Sequence, residues 1–296
     1  MAAPDEHAVQ GAQRVSPLVR RILAPNAGPF TYTGTCTYMV GEGDVAIVDP
    51  GPADPRHLAA MLAAIHGERL RYVLVTHTHR DHSPASRALK EATDAVVAGC
   101  APYAAPADIL VTGPGLDASH DTLHEPDVVL KEGERINLGG ATIEALETPG
   151  HTANHLCFSL LEEKALFTGD HVMGWSTTVI APPDGSMTDY MASIERLRAR
   201  DDVIYWPGHG EPIMDPGRYL RALAHHRRAR EAAILQRLDA GDETIAEMVA
   251  RIYDSVDKRL HGAAAMTVFA HLEDLIARRL VSADGPATLS ARYRKI

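Results

Sequence analysis

Hydrophobic positions along this chain change period several times, and the changes mark out its elements. Residues 37–40 and 45–48 are apolar runs separated by Gly41-Glu42-Gly43-Asp44, which predicts a hairpin within 31–49. Asp49-Pro50-Gly51-Pro52 breaks the second arm. Asp54 then reads as a helix cap with Pro55 at the first position, Leu58, Met61, Leu62 and Ile65 as the buried stripe, and Gly67 as the stop. Residues 72–75 have the continuous apolar character of a buried strand. Ser83-Pro84 reads as the cap and first turn of a helix through Leu89.

Residues 101–120 are rich in Ala, Pro and Gly and predict an irregular surface loop. Strand signals return at 142–146, and a second hairpin joins 156–161 to 165–168 through Glu162-Glu163-Lys164. A helix over 187–199 carries Tyr190, Met191, Ile194 and Leu197 on one face, where Tyr190 and Met191 read as core. Residues 203–206 form a last short strand. From about 217 the period is helical, over 218–238, 244–253 and 263–279, and a β-like tail follows at 288–293. The expected organisation is an N-terminal extension (1–28), an α/β body (29–215) and a small helical C-terminal domain (216–296).

Composition narrows this picture without redirecting it. A chain that is 45% hydrophobic and 23% charged is an ordinary globular one, which excludes disordered and fibrous classes. Cys36, Cys100 and Cys157 are odd in number and far apart, so neither a disulfide framework nor a thiolate zinc site is expected. A reducing cytoplasm is the simplest compartment. The first residues lack the apolar core of a secretory signal, and no apolar run approaches the ~18–20 residues of a membrane span. The net charge of −10 is uneven: residues 217–296 hold 14 basic and 10 acidic residues, so the tail is mildly basic and the body strongly acidic. An acidic body disfavours nonspecific attraction to nucleic acid.

The candidate chemistry begins where the strand at 72–75 ends, in His77-Thr78-His79-Arg80-Asp81-His82. His77 and His79 are two apart, so extended backbone puts both on one side. Imidazole and carboxylate together suit zinc, iron or manganese, and core packing does not account for four such residues within one short turn. Three later segments repeat the design of strand, tight turn and ligand-type residue: Pro149-Gly150-His151, Thr168-Gly169-Asp170 and Pro207-Gly208-His209. Glycine permits each sharp turn. No GxSxG elbow is present to support a serine nucleophile. His171 reads as a non-ligand and the His225-His226 pair as solvated.

The ordered set HxHxDH, GHT, GD and PGHG resembles the metallo-β-lactamase superfamily over nearly all of residues 30–215. The resemblance implies a four-layered αββα sandwich with the site at one edge of its two sheets. It implies that His77, His79 and His151 bind one metal and Asp81, His82 and His209 a second, with Asp170 bridging. Asp49, in the Asp49-Pro50-Gly51 turn, would brace the metal loop from behind. Two divalent ions, zinc by preference with iron or manganese as alternatives, would then hold a bridging hydroxide for attack on carbonyl or phosphorus, with Asp81 orienting it as a catalytic residue. Histidine at position 79, where diiron flavoproteins of this fold commonly have Glu, points to hydrolysis.

Residues 28–40 and 169–197, together with PGHG and a helical tail, resemble the lactamase-beta-2-like subgroup with its winged-helix-like C-terminal domain. That subgroup implies a metal-dependent hydrolase, with a single-strand endoribonuclease as one expectation. A thioester hydrolase of the glyoxalase-II or acyl-CoA kind is the alternative, and a lactonase or mono-iron persulfide dioxygenase is a further one. A noncatalytic regulator would have had little reason to keep the full ligand set. The expected partners are a small-molecule thioester or single-stranded RNA, without a membrane, and a homodimer is allowed for. Arg218, Arg221, Arg227, Arg228 and Arg230 offer RNA a basic path, or else form a solvated helix face around Glu231. Cys36, which stands where Asn is usual, His155, Trp175, Thr177 and Thr178 are the expected substrate contacts.

Overall fold

The computed structural model describes residues 11–104 and 119–296. Strands β1 (Gln13–Arg14), β2 (Val19–Leu23), β3 (Cys36–Glu42), β4 (Asp44–Val48), β5 (Arg69–Val75), β6 (Val96–Gly99) and β7 (Val128–Val129) form one sheet in sequence order, antiparallel to β4 and parallel from there on. Helices α1 (Pro55–Ile65) and α2 (Ala85–Thr93) make the crossovers that a parallel register needs. The second sheet holds β8 (Arg135–Asn137), β9 (Thr142–Glu147), β10 (Leu156–Leu160), β11 (Ala165–Gly169) and β12 (Ile204–Pro207), with α3 (Met187–Arg198) between the last two.

Strand periodicity divides the side chains between layers. Tyr38 and Val40 of β3 point into the space between the sheets and meet Phe158 and Phe167, while Met39 points the other way, toward Met61 of α1. On the second sheet, Leu156 and Phe158 face the shared core and Cys157 faces Tyr190 and Ile194 of α3. Both faces of both sheets are therefore apolar, and the result is the expected αββα sandwich.

After the body come α4 (Pro216–Asp239), α5 (Ile245–Ile252), α6 (His261–Ala277) and the hairpin β13 (Val281–Ala283)–β14 (Tyr293–Lys295). Thr244 and Glu247 form a reciprocal capping box at the start of α5. Helix α4 serves two cores: Leu220, Leu223 and Ala224 pack against α3, while Ile234 and Leu238 pack with α5, α6 and Tyr293. No helix of the described residues is long and apolar enough to cross a membrane.

Several expectations need correction. Residues 13–23, read as part of an N-terminal extension, supply β1 and β2 and extend the first sheet. Ser83 does not cap α2; its hydroxyl donates to Asp121, and the helix starts at Ala85 and runs on to Thr93. On α1 the buried positions are His57, Met61 and Ile65, with Leu58 and Leu62 only partly covered. His57 turns inward because its Nε2–H donates at 2.9 Å to Thr37, whose own proton goes to the Asp49 carbonyl. The tail strand is Tyr293–Lys295, later than the expected 288–293. Most of the expected 101–120 loop lies outside the described residues.

Glu68 locks the turn before β5. Its carboxylate accepts from the Arg20 guanidinium and from the Gly43 backbone N–H at 3.0 Å, and the Arg20 charge and this contact hold its pKa below the usual value of 4.5. A carboxylate depressed in the folded state stabilises above its unfolded pKa and loses that contribution as pH falls through the folded value. Thermal unfolding of Glu68→Gln should therefore lie below wild type at pH 7, and the gap should close as pH drops below about 4.5.

Candidate metal centre

Every candidate ligand follows the C-terminal end of a strand. His77, His79, Asp81 and His82 follow β5, His151 follows β9, Asp170 follows β11 and His209 follows β12. Both sheets thus deliver side chains to one edge of the sandwich. The turns close tightly: a Cβ on Gly208 would sit 2.7 Å from Asp170 Oδ1, and one on Gly150, at φ +138°, 2.3 Å from the Tyr190 Cα. Glycine is required at both positions.

The side chains collect into two groups. Ligand-type atoms of His77, His79, His151 and Asp170 all lie within 4.8 Å of one another, and so do those of Asp81, His82 and His209. Asp170 stands between the groups, with Oδ2 3.8 Å from His151 Nε2 and Oδ1 3.4 Å from both His82 Nε2 and His209 Nε2.

Hydrogen bonds at the far side of four of the five rings decide which nitrogen faces inward. The Thr76 hydroxyl donates to Asp49 Oδ2 at 2.8 Å, so its oxygen accepts from His77 Nδ1–H at 2.9 Å. His151 Nδ1–H donates to the Val179 carbonyl at 2.8 Å, and His209 Nδ1–H to the Gly34 carbonyl at 3.3 Å. His82 Nδ1–H donates to Asp49 Oδ2 at 2.9 Å. Each arrangement leaves Nε2 directed at the cluster, the outer-shell support that metal-binding imidazoles usually have.

In the first group His77 Nε2 and His151 Nε2 approach His79 Nδ1 at 3.0 and 3.1 Å. Unprotonated nitrogens meet there with a carboxylate nearby. Burial, followed by the neighbouring imidazoles, pushes the pKa of both His77 and His79 well down. In the second group burial opposes charge on His82, but Asp170, Asp81 and Asp49 outweigh it and raise that pKa. Burial raises Asp170, and His209 with His82 reverses the shift and holds it ionised. Asp170 Oδ1 is buried with no hydrogen-bond partner. Converging lone pairs, ionised carboxylates and this orphaned oxygen fit divalent cations.

Asp49 sits behind His82 and carries φ +49°. Its Oδ1 also accepts the Thr76 backbone N–H at 2.8 Å. Trp175, Thr177 and Thr178 line a cavity of about 950 Å³ that reaches His79, Asp81, His151 and Asp170. Trp175 stacks on Tyr32 with ring centroids 5.0 Å apart, and the Thr178 hydroxyl donates to the Asp170 carbonyl at 2.7 Å.

Two expected substrate contacts do not reach that cavity. Cys36 is 1% exposed and packs in the core between the sheets, its Sγ 3.8 Å from the Gly210 carbonyl, and burial pushes its thiol pKa up. His155 is also 1% exposed; its ring stacks behind His77 at 5.1 Å, and its Nδ1 is bonded to Thr148. His171 is buried and lies in neither ligand group. His226, expected to be solvated, lines the cavity with Arg227 and Arg230, whereas His225 is exposed.

Sequence pattern alone does not single out His120, Tyr103 or Asp184. His120 pairs by its backbone with His79, stacks on Tyr103 at 3.9 Å and places Nε2 3.7 Å from Asp184 Oδ2. The Ser119-His120-Asp121 run is the available signal, but it carries no periodicity and ends a stretch that reads as loop.

A sandwich with a His/Asp cluster at the strand ends defines a metal-binding hydrolase scaffold. The metallo-beta-lactamase superfamily profile matches residues 31–209 and the beta-lactamase associated winged helix domain matches residues 244–287. The chain belongs to the metallo-beta-lactamase superfamily, as its motifs suggested. It is 30% identical over 277 residues to an atrochrysone carboxyl ACP thioesterase of Aspergillus fumigatus, covering 89% of this chain and 81% of that one. It is 31% identical over 239 residues to the beta-lactamase-like protein 2 homolog of Caenorhabditis elegans, covering 79% and 76%. A metallo-beta-lactamase family protein from Thermus thermophilus shares the fold with a TM-score of 0.73 at 23% identity, covering 96% of this chain and 100% of that one. Proteins of this superfamily typically bind metal ions, and the thioesterase and lactamase-like names of the relatives suggest a hydrolase.

Because Asp49 fixes both Thr76 and the His82 tautomer, Asp49→Ala should weaken divalent metal binding by about 10–100-fold. Competition against a chromophoric chelator measures this, with far-ultraviolet circular dichroism checking that the fold remains.

Proposed function

We propose that this protein hydrolyses acyl thioesters at a centre that holds two divalent cations, zinc being the expected one. The large cavity carries this reading. Its floor is the ligand cluster, and its walls include Met173, Val179, Val256, Leu260, Ala264 and Met266. An apolar chamber beside a hydrolytic centre suits an acyl chain. The thioesterase among the relatives adds support, since it aligns across most of both chains.

The α4 arginines support this reading over RNA cleavage. Arg227 is buried, its guanidinium donating to the Thr178 carbonyl and lying over the Tyr190 ring. Arg228 pairs with Glu195 at 2.9 Å, and Glu231 pairs with Arg278 instead of its own helix neighbours. Arg218 and Arg221 are exposed and do not line the cavity. A continuous basic track for a nucleic-acid backbone is thus not formed by these residues.

His77, His79, His151 and Asp170 Oδ2 would hold one cation, and Asp81, His82, His209 and Asp170 Oδ1 the other. Cations bound there would supply Lewis acidity, acidifying water and polarising the thioester carbonyl. Asp81 is the ligand-group carboxylate most open to the cavity, with its side chain 28% exposed. Burial raises its pKa, but His82 and His209 outweigh burial and keep it ionised. An ionised Asp81 accepts a water O–H and aims the oxygen at the carbonyl carbon. The C–O bond forms, the C–S bond breaks with the sulfur leaving as thiolate, and the proton lost by water passes to that thiolate or to solvent, so that acid and thiol are the products. A thiol with a pKa of about 8.5 leaves as thiolate without a strong general acid.

The zinc-loaded protein should turn over acyl-CoA thioesters, lose that activity on chelation and recover it on reloading. His79→Ala should lower kcat/KM by about 100-fold or more. Cleavage of single-stranded RNA that His79→Ala abolishes, with no thioester turned over, would reject this function.

A further inference from the structure

Arg227 and Arg230 are three residues apart on α4, so they share a face, and both line the cavity. Among the described residues neither has a carboxylate within ion-pair range. Glu231 and Asp274 both pair with Arg278, at 2.9 and 2.8 Å, and the carboxylates that share the cavity face histidines instead, Asp184 at 3.7 Å from His120 and Asp81 and Asp170 at 3.1 and 3.4 Å from His209. The Nε of each arginine is buried without a hydrogen-bond partner, and Arg227 is only 2% exposed.

Both guanidiniums are nonetheless held in place. Arg227 is fixed by the Thr178 carbonyl and the Tyr190 ring, Arg230 by the Ile252 carbonyl at 3.3 Å and the Tyr253 ring at 4.7 Å. His226 stands beside them with Nδ1 unpaired, and burial together with the two arginines keeps its ring neutral. Two like charges without a counter-ion in a partly desolvated wall carry a cost that an anion between them would relieve. Their side chains are already ordered, so an anion would bind without a large further loss of side-chain entropy.

We propose that Arg227 and Arg230 form an anion subsite that receives a carboxylate carried by the acyl part of the substrate. This rests on the thioesterase reading and narrows its substrate class to acidic acyl thioesters. Guanidinium is suited to the task because its planar fork matches a carboxylate. The subsite positions the acyl group, and the metal centre is where the thioester is cut.

The test compares adipoyl-CoA with hexanoyl-CoA, which differ by a terminal carboxylate, and repeats both as N-acetylcysteamine thioesters, which lack phosphate. The kcat/KM ratio of acidic to neutral substrate should fall about tenfold or more in Arg230→Gln, in both carrier series. Arg230→Lys, which keeps the charge but not the fork, should retain part of the ratio. A binding readout stands apart from turnover: adipate should raise the unfolding midpoint of the wild type more than hexanoate does, and Arg230→Gln should erase the difference. A ratio that Arg230→Gln leaves unmoved overturns the subsite and leaves the thioesterase intact. A fall confined to the CoA series also overturns it, since the arginine would then serve the carrier phosphate. If no thioester is hydrolysed but adipate still outperforms hexanoate only in the wild type, the subsite stands and the thioesterase reading falls.

Discussion

Five imidazoles and two carboxylates share one buried edge of the sandwich, where ring nitrogens of His77, His79 and His151 crowd one another while His82 and His209 face the carboxylates. Holding these groups together is the constraint around which the fold is arranged. That crowding is tolerated because four of the five rings are anchored from behind: His77 by Thr76, His82 by Asp49, His151 by the Val179 carbonyl and His209 by the Gly34 carbonyl. Both sheets must be in register for all of these anchors to meet. The apolar layer between the sheets, with Tyr38, Phe158, Phe167 and Trp206, is therefore as much a part of the centre as its ligands.

Charge is distributed across that edge in two ways. Around His77 and His79 burial prevails and the rings stay neutral, whereas around His82 and His209 the carboxylates prevail and favour positive charge. Asp170 faces both environments with one oxygen each. The cavity above adds a third environment, largely apolar, with a positive strip on α4. In the proposed hydrolysis the strand ends would carry the chemistry and α4 and α6 would select the substrate, the two meeting across the cavity.

The candidate ligand cluster was legible because each member follows a short strand, and at His151, Asp170 and His209 a glycine precedes it, so such strand–turn units leave a local trace. The hairpins and most helices were legible for the same reason. What was missed depends on distant partners. Cys36 looked like a site residue by its position, yet the pleat of β3 sends it into the core. Arg227 looked like a solvated charge, and only the approach of the 170–178 loop and Tyr190 buries it. Residues 13–23 carried too little periodicity to announce two strands, since the pairing of β2 with β3, and of β1 with β2, does the ordering. His120 reaches His79 by backbone pairing across an intervening segment of the chain, which no local pattern encodes.

Helix α4 belongs to two cores at once, so the wall it shares with α6 cannot swing away from the body without unpacking one of them. The cavity's width is then a matter of side-chain volume more than of motion. Ala263, Ala264 and Thr267, all small, stand on the α6 side of that chamber. If the chamber receives the proposed acyl group, its room is set by the methylenes these positions lack, and a few substitutions along one helix face would redraw the range of substrates while every candidate ligand stayed where it is.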